Sequence, residues 1–529
     1  MLAVSTLVAA SLKQERRRNE SEVTTIKSII ALGAFVSLLL SPLGGPQIAG
    51  QNKPQPDVQE IAGLKADAGK VQLIARLEKL IPQLMNEGDV PGLSIALISN
   101  AKVFWAKGFG VRNAETKLPL DESTVFEAAS LSKPVFAYAV LKLIDRGQLD
   151  LDRPLSSYLS SAYLQNDGRV NLITARMVLD HTTGFQNEVT PGRPLKIHFT
   201  PGEKFSYSGE GFLYLQKVVE QITGEPLEAF MKKTVFEPLR MTSSSFVWQD
   251  KYERLKAKGY KTSGVVGQMR KPTVARSASS LHTTALDYAK FVIAIINGNG
   301  LRKETSKQIL KTQVRLDESC FSCIERNSGQ PSQALSWGLG WALEHTDTGD
   351  AIWHWGENNG EFQNFVMAYP KEKRGIVIFT NSGNGLSITP AIVSQAIGGS
   401  HPAFAWMGYE LYNSPKKLLL RDILLRGEAA INQYRESRHS TSSAVVLNED
   451  QVNSLGYLLL GKKRANEAIE VFRMNVEDYP ESWNAYDSLG DGYLAADNKP
   501  EAVKNYQRSL ALNPGDDNAR QMIQKLERP

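Results

Sequence analysis

The chain has 529 residues, 42% of them hydrophobic and 22% charged, which allows several domains and a sizeable core. Its net charge of +5 is small for that length, and no basic block alternates with aromatic residues, so nothing points to a nucleic-acid partner. The two cysteines, Cys320 and Cys323, and seven scattered histidines lack the spacing of a metal site, so neither metal nor cofactor is expected. The cysteine pair reads as a small disulfide loop or two idle thiols.

In chain order, residues 1–50 read as a signal peptide or membrane-targeting segment. Arg16, Arg17, Arg18 and Lys27 precede the apolar run Ser28–Leu40, which is too short to span a bilayer comfortably. The expected location is therefore exported, periplasmic or extracellular, with a retained N-terminal anchor as the variant. Residues 51–69 form a polar linker. Val71–Glu87 has helical spacing, with Leu73, Ile74, Leu77, Leu80, Ile81 and Leu84 on one side. Two strands follow, Leu93–Ile98 and Val103–Ala106, turning at Ser99-Asn100.

The stretch Phe126–Pro134, followed by the apolar run Val135–Ile144, reads as a loop entering a buried helix. Ser130 and Lys133 stand one turn apart on one face of it. Pro134 is tolerated because N–H groups in the first turn have no intrahelical acceptor to lose. A hydroxyl beside an amine at the positive end of a helix is a candidate nucleophile and base, provided burial strips water from the lysine. The plainer reading is a helix cap with a surface lysine.

Asp180-His181-Thr-Thr-Gly184 admits a catalytic histidine or, more simply, a structural one beneath the site. Tyr207 and Ser208 precede a helix over Phe212–Thr223. Tyrosine acts as a base near neutrality only beside a cation, and Lys133 is the candidate. Ser279–Gly298 reads as a long helix with Leu286, Phe291, Ile293 and Ile296 inward. Arg302–Pro331 reads as polar surface decoration. Strand patterns return at Trp337–Trp341, Ala351–Gly356, Asn364–Tyr369 and Ile376–Thr380. Strands at both ends with helices between imply one sheet closed by the two ends of the domain.

The C-terminal region repeats itself at a shift of 34 residues. Leu455-Gly456 matches Leu489-Gly490, Ala468 matches Ala502, Phe472 matches Tyr506 and Pro480 matches Pro514. This pattern resembles tetratricopeptide repeats, in which small residues let paired helices approach. Ala429–Tyr434 is expected to supply a further packing helix. The repeats either cap the preceding domain or bind a protein partner.

Six motifs occur in order: Val90-Pro-Gly-Leu, Ala129-Ser130-Leu-Ser-Lys133, Asp180-His-Thr-Thr-Gly184, Phe199-Thr-Pro-Gly-Glu-Lys-Phe-Ser-Tyr207-Ser, Phe236-Glu-Pro-Leu-Arg-Met241 and His354-Trp-Gly356. Together they resemble the serine β-lactamase-related family, which includes class C β-lactamases, D-alanyl-D-alanine carboxypeptidases and esterases. The resemblance implies an α+β fold, an antiparallel sheet flanked by helices plus an all-helical subdomain, over residues 70–400. A helical linker at 401–441 and a repeat domain at 442–529 follow.

The resemblance further implies Ser130 as nucleophile, Lys133 as its activator and Tyr207 as proton relay. His354 stands where many relatives have lysine. The oxyanion and substrate-binding set becomes Ser130, Glu357, Gly356, Trp355 and Gly209, with the N–H groups of Ser130 and Glu357 holding the acyl oxygen. The implied activity is hydrolysis of a small ester, amide or β-lactam through an acyl-enzyme. The alternative is a weak or inactive penicillin-binding-like scaffold that serves its repeats.

Two departures bear on substrate. Gly209 replaces an asparagine that in relatives holds the substrate amide. His354 replaces a lysine that attracts a substrate carboxylate, a task a neutral imidazole performs weakly.

Overall fold

The first and last strand segments of the sheet domain, Leu93–Ile98 and Ile376–Thr380, are near-continuous apolar runs, and side chains alternating to either side bury both faces of the sheet. In the computed structural model the described residues are 58–317, 330–440 and 446–527. Residues 1–50, expected to be a targeting segment, and the pair Cys320 and Cys323 lie outside them. The chain divides after Ala66, and the fold below is that of the second part, from Asp67 onward.

The strands are β1 (Gly92–Ser99), β2 (Lys102–Asn113), β3 (Leu118–Pro119), β4 (Phe126–Glu127), β5 (His282–Thr283), β6 (Val314–Asp317), β7 (Pro331–Trp337), β8 (Ala342–Thr346), β9 (Gly349–Asn358), β10 (Phe362–Tyr369) and β11 (Arg374–Thr380). Nine of them form one antiparallel sheet in the order β3-β2-β1-β11-β10-β9-β8-β7-β6, while β4 and β5 pair separately. The chain ends of the domain meet at its centre, where Ile95 of β1 lies opposite Ile378 of β11. The sheet closed by both ends is thus present, with longer and more numerous strands than the apolar pattern indicates.

Alternation sorts the side chains. Ala96, Ile352, Val366, Val377 and Phe379 enter a core shared with the helices Ser132–Asp145, Gly209–Thr223 and Ala285–Asn297. Leu93, Ile95, Trp353, Phe365 and Ile378 enter a second core, with Leu77, Ile81 and Leu84 of the Val58–Gly88 helix and Ile388 and Ile392 of the Gly385–Ile397 helix. The fold is α+β, an antiparallel sheet flanked by helices with an all-helical subdomain against one face.

Three expectations are corrected. The Ser279–Gly298 helix begins at Ala285, where the Thr284 hydroxyl accepts from the Asp287 N–H and caps it; His282 and Thr283 are strand, and Leu286 is only partly buried. Trp337–Trp341 is not one strand: β7 ends at Trp337, and the chain turns at Gly340 with φ 80°, where a Cβ would also stand 2.4 Å from that of Ala137. The region from Arg302 is not mere decoration, since Ile309 and Leu316 are fully buried and β6 forms the sheet edge.

After the sheet come the helices Pro415–Arg426 and Glu428–Ser440, then two helix pairs, Glu449–Gly461 with Ala465–Asp478 and Trp483–Ala495 with Lys499–Leu512. The repeat has a common contact. A Cβ on Gly456 would meet the Phe472 ring at 2.3 Å, and one on Gly490 would meet the Tyr506 ring at 2.6 Å. Ala430 and Ile431 join this third core. The helical region rests on the sheet domain: Lys417 donates to Asn384 at 2.9 Å, Lys462 pairs with Asp89 at 2.5 Å, and Gly461 packs directly on Ser263. Among the described residues no helix is long and apolar enough to cross a membrane.

Candidate active site

The Ser132–Asp145 helix is preceded by a tight turn, Ala129–Leu131, that carries Ser130. Polar groups from distant elements pin this turn. Ser132 donates to the Ala129 carbonyl at 2.6 Å and accepts from the Leu281 N–H at 3.0 Å. Tyr288 donates to the Leu131 carbonyl at 3.0 Å, and Asn364 donates to the Glu127 carbonyl at 2.9 Å. Ala129 sits at φ 53°, a left-handed conformation uncommon for alanine and stabilised here by those bonds.

Lys133, one helical turn on, directs its amine back. Nζ lies 3.0 Å from Ser130 Oγ and donates to the Ala278 carbonyl at 2.9 Å. The side chain is enclosed, with Nζ 4.8 Å from the centre of the Tyr207 ring and 5.8 Å from that of Phe212. Burial brings the ammonium down to about 7, opposed only by the negative charge of Glu188. Near neutrality a substantial fraction is therefore free amine.

Tyr207 stands beside the same pair, its ring 4.8 Å from Lys133 Nζ. Burial pushes its phenol upward, and the neighbouring Ser130 side chain only partly offsets this. The expectation that Lys133 would make Tyr207 a phenolate base is thus corrected. The phenol keeps its proton, and the amine is the group poised to accept one.

Behind Tyr207 lies His181, whose ring stacks on it at 4.3 Å and whose Nδ1 accepts from the Ser208 N–H at 3.0 Å. Burial, with Lys133 and His354 as lesser causes, holds this imidazole well below its ordinary range. His181 thus lies behind the tyrosine, bonded to the backbone that follows it.

β9 forms the opposite wall. His354 and Gly356 point to the face that carries Ser130, while Trp353 and Trp355 point to the other. Gly356 abuts the turn: a Cβ there would stand 2.2 Å from the Ala128 carbonyl oxygen. The Trp355 ring is buried against Tyr207 and Trp406, so Trp355 supports Tyr207 from behind and does not line the cleft with its side chain. Glu357 is held by the Tyr409 hydroxyl at 2.5 Å.

Burial first, then the charge of Lys133, drives His354 down to about 3, so it is a neutral imidazole at any ordinary pH. Its Nδ1 lies 2.7 Å from the Trp355 carbonyl, which can only accept, so Nδ1 carries the proton and Nε2 is left with a lone pair. That Nε2 is buried without a hydrogen-bond partner among the described residues.

Gly209 begins the Gly209–Thr223 helix, with Ser208 as its cap. A Cβ on Gly209 would lie 2.6 Å from the Asn187 carbonyl oxygen, 3.2 Å from Asn187 Oδ1 and 3.6 Å from the Ala278 Cβ. The position is thus adjacent to the residue whose carbonyl holds Lys133.

Sequence reasoning missed a charge cluster beneath the turn. Glu127 Oε1 lies 2.7 Å from Lys256 Nζ, with both side chains buried, and its Oε2 accepts from Asn358 Nδ2 at 3.0 Å and faces Arg270 at 3.1 Å. Burial opposes the charge on Glu127, but Lys256 and Arg270 outweigh it and keep the carboxyl below its usual range. Glu127 stands three residues before Ser130 and Asn358 one after Glu357, so this pair ties the two walls together. The available signal was a glutamate in an otherwise apolar approach to the serine, meaningful only once its distant partners are known. No group of side chains suited to holding a metal occurs among the described residues.

A family model for beta-lactamase matches residues 77–391, more than half of the chain. The chain belongs to the beta-lactamase family. Curated relatives include protein flp of Staphylococcus aureus strain N315, 24% identical over 330 residues that make up 58% of this chain and 62% of that protein. Esterase EstB of Burkholderia gladioli is 29% identical over 204 residues, covering 33% of this chain and 52% of the esterase. The chain therefore spans under two thirds of the length of these relatives.

Among solved structures, an octameric penicillin-binding protein homologue from Pyrococcus abyssi matches with TM-score 0.54 and 24% identity, over 66% of this chain and 82% of that one. A beta-lactamase/D-alanine carboxypeptidase from Pseudomonas syringae matches with TM-score 0.53 and 18% identity, over 62% of this chain and 99% of that one. The fold of this beta-lactamase-family chain is of serine-hydrolase type.

Proposed function

We propose that this beta-lactamase-family chain is a serine hydrolase that cleaves esters or amides through an acyl-enzyme. The observation that carries the reading is the Lys133 amine, brought by burial to about 7 and placed 3.0 Å from Ser130 Oγ. A neutral amine at that distance takes the serine proton as Oγ attacks the acyl carbon. Tyr207, whose ring lies 4.8 Å from the Lys133 amine, passes a proton to the leaving group, and in the second half-reaction water is activated through the same pair. The N–H groups of Ser130 and Glu357 hold the acyl oxygen; donors of this kind are worth about 3 kcal/mol of barrier each. His354 and Gly356 shape the wall, the glycine by letting β9 close on the nucleophile turn.

The substrate class we favour is esters and simple amides over β-lactams and D-alanyl-D-alanine peptides. Gly209 brings no side chain to hold an acyl-side amide, and His354, neutral with a lone pair at Nε2, brings no cation for a carboxylate. The esterase among the curated relatives fits this preference. Turnover of p-nitrophenyl esters beside a chromogenic cephalosporin tests it: the ester is expected to be the faster substrate, and a clear preference for the cephalosporin overturns the assignment.

The second reading is a scaffold that has lost turnover, favoured by Gly209 alone. The paired helices after residue 442 then serve as tetratricopeptide-type repeats for a protein partner. The apolar run at Ser28–Leu40 supports export of the whole chain, to the periplasm or beyond.

A further inference from the structure

The end of β9 that carries Glu357 has a strand neighbour on one edge only. β8 pairs with β9 no further than Trp353, whereas β10 follows it to Asn358. A strand end paired on one side has half the ladder to fix its backbone. Two side chains make up the difference, from opposite faces, because successive residues of a strand point to opposite sides. On the face of the nucleophile turn, Asn358 Nδ2 donates to Glu127 Oε2 at 3.0 Å. On the other face, the Tyr409 hydroxyl donates to Glu357 Oε2 at 2.5 Å.

Tyr409 comes from beyond residues 77–391, the stretch that the beta-lactamase family model matches, and lies on the way to the paired helices. Its segment is fastened to the sheet at several points. His401 Nδ1 lies 2.9 Å from Glu344 Oε1 of β8, and the Trp406 indole donates to the Asp317 carbonyl of β6 at 2.8 Å. The Trp406 ring packs on those of Trp353 and Trp355, each at 5.9 Å. Further on, Lys416 pairs with Glu410 at 3.1 Å and donates to Ser454 of the first paired helix at 2.9 Å. Burial, then the charge of Glu357, pushes the Tyr409 phenol up, so it keeps its proton and donates at any ordinary pH.

We propose that Tyr409 is a positioning residue of the hydrolase, its hydroxyl holding the Glu357 side chain from behind β9 so that the Glu357 N–H stays aimed at the acyl oxygen. This rests on the hydrolase reading above and extends its oxyanion site to the linker that leads into the paired helices. Tyr409 lies behind the strand and acts through the backbone of Glu357. Its bond is short and made to a carboxylate, and bonds of that kind are stronger than neutral ones. Losing it lets the carboxylate turn to water and the end of β9 relax, while the Ser130 N–H and the Lys133 amine stay in place. The chemical step then loses part of one oxyanion donor, and ground-state binding is little touched.

The test uses the full chain carrying Tyr409→Phe, Glu357→Leu or both, with a phenyl ester and the matching thionoester as substrates. Phenylalanine keeps the ring in its packing and removes only the donor. Tyr409→Phe is expected to lower kcat for the ester by about tenfold, with KM changed by less than about twofold. Glu357→Leu should lose as much, and Glu357→Gln less, because its amide oxygen still accepts. The double variant should lose no more than either single one. The ester-to-thionoester ratio of kcat should fall in step, since sulfur accepts hydrogen bonds weakly and gains little from the donor in the first place. Losses that add in the double variant, or a ratio that Tyr409→Phe leaves unchanged, overturn the positioning role. So does an unchanged kcat in a Tyr409→Phe chain that a fluorophosphonate labels at Ser130. No turnover of any ester by the wild-type chain, with no label on Ser130, overturns the hydrolase reading and this role with it.

Discussion

Gly356 of β9 faces Ala128 of the nucleophile turn so closely that a Cβ on the glycine would stand 2.2 Å from the alanine's carbonyl oxygen. The contact sets the width of the cleft, because the two backbones it joins carry Ser130 and Glu357. Gly356→Ala should push β9 away from the turn. Overpacking of this kind costs about 1–3 kcal/mol of stability, while turnover should fall by about a hundredfold as one oxyanion donor moves out of range. Thermal unfolding alongside ester kinetics checks this; a variant of full activity would show that the strand is free to shift.

Lys133 ties activity and stability to pH in the same direction. Its folded pKa, about 7, lies below the ordinary lysine value of 10.5. Below about 7 both folded and unfolded chains hold the proton, and the folded state bears the whole cost of a buried ammonium. Between that point and 10.5 the unfolded chain holds more protons, so this contribution to stability rises with pH. Turnover should rise through about pH 7 as the amine is freed. Lys133→Met should abolish turnover yet raise the melting temperature at pH 6. A pH–rate profile without that rise, or a less stable methionine variant, would contradict the assignment.

Tyr207→Phe removes only the hydroxyl and leaves the stacking on His181 and Trp355 in place. The fold should persist, and kcat should drop by about 10²–10⁴, the usual worth of a positioned proton carrier. Stopped-flow kinetics with an activated ester should show release of the first product less affected than breakdown of the acyl-enzyme. Unchanged kcat would remove Tyr207 from the mechanism.

How much of this was legible in the sequence differs from residue to residue. Ser130 and Lys133 were readable because helical periodicity alone places them on one face. Tyr207 and His354 needed the ordered motifs, since nothing local connects a tyrosine and a strand histidine so far along the chain from the serine. β6 and the true end of β7 were missed because a polar stretch hid Leu316, and because the apparent apolar run Trp337–Trp341 contains two glycines. The Glu127 cluster showed only as a glutamate in an apolar approach, without its partners, and the approach of Asn187 to Gly209 had no sequence signature. The first joins strand ends whose register only the closed sheet fixes, and the second joins a loop to the start of a helix.

The Glu127 cluster carries its own prediction. Glu127→Gln leaves Lys256 buried without its carboxylate partner, and breaking a buried pair from one side costs about 3–5 kcal/mol. Asn358→Ala removes only the bond across the cleft and should leave the fold nearly as stable. Its kcat should nevertheless fall by about tenfold with little change in KM, as the two walls lose their tie. Differential scanning calorimetry and steady-state kinetics on both variants separate the two effects; an Asn358→Ala enzyme with unaltered kcat would deny the tie any part in catalysis.

The most direct test of the account is intact-mass spectrometry of the full chain after treatment with a fluorophosphonate. The account predicts a single adduct, mapping to Ser130, absent in Ser130→Ala and formed faster as pH rises through about 7, where Lys133 gives up its proton. A folded wild-type chain that takes no label, or one labelled at another residue, would contradict it.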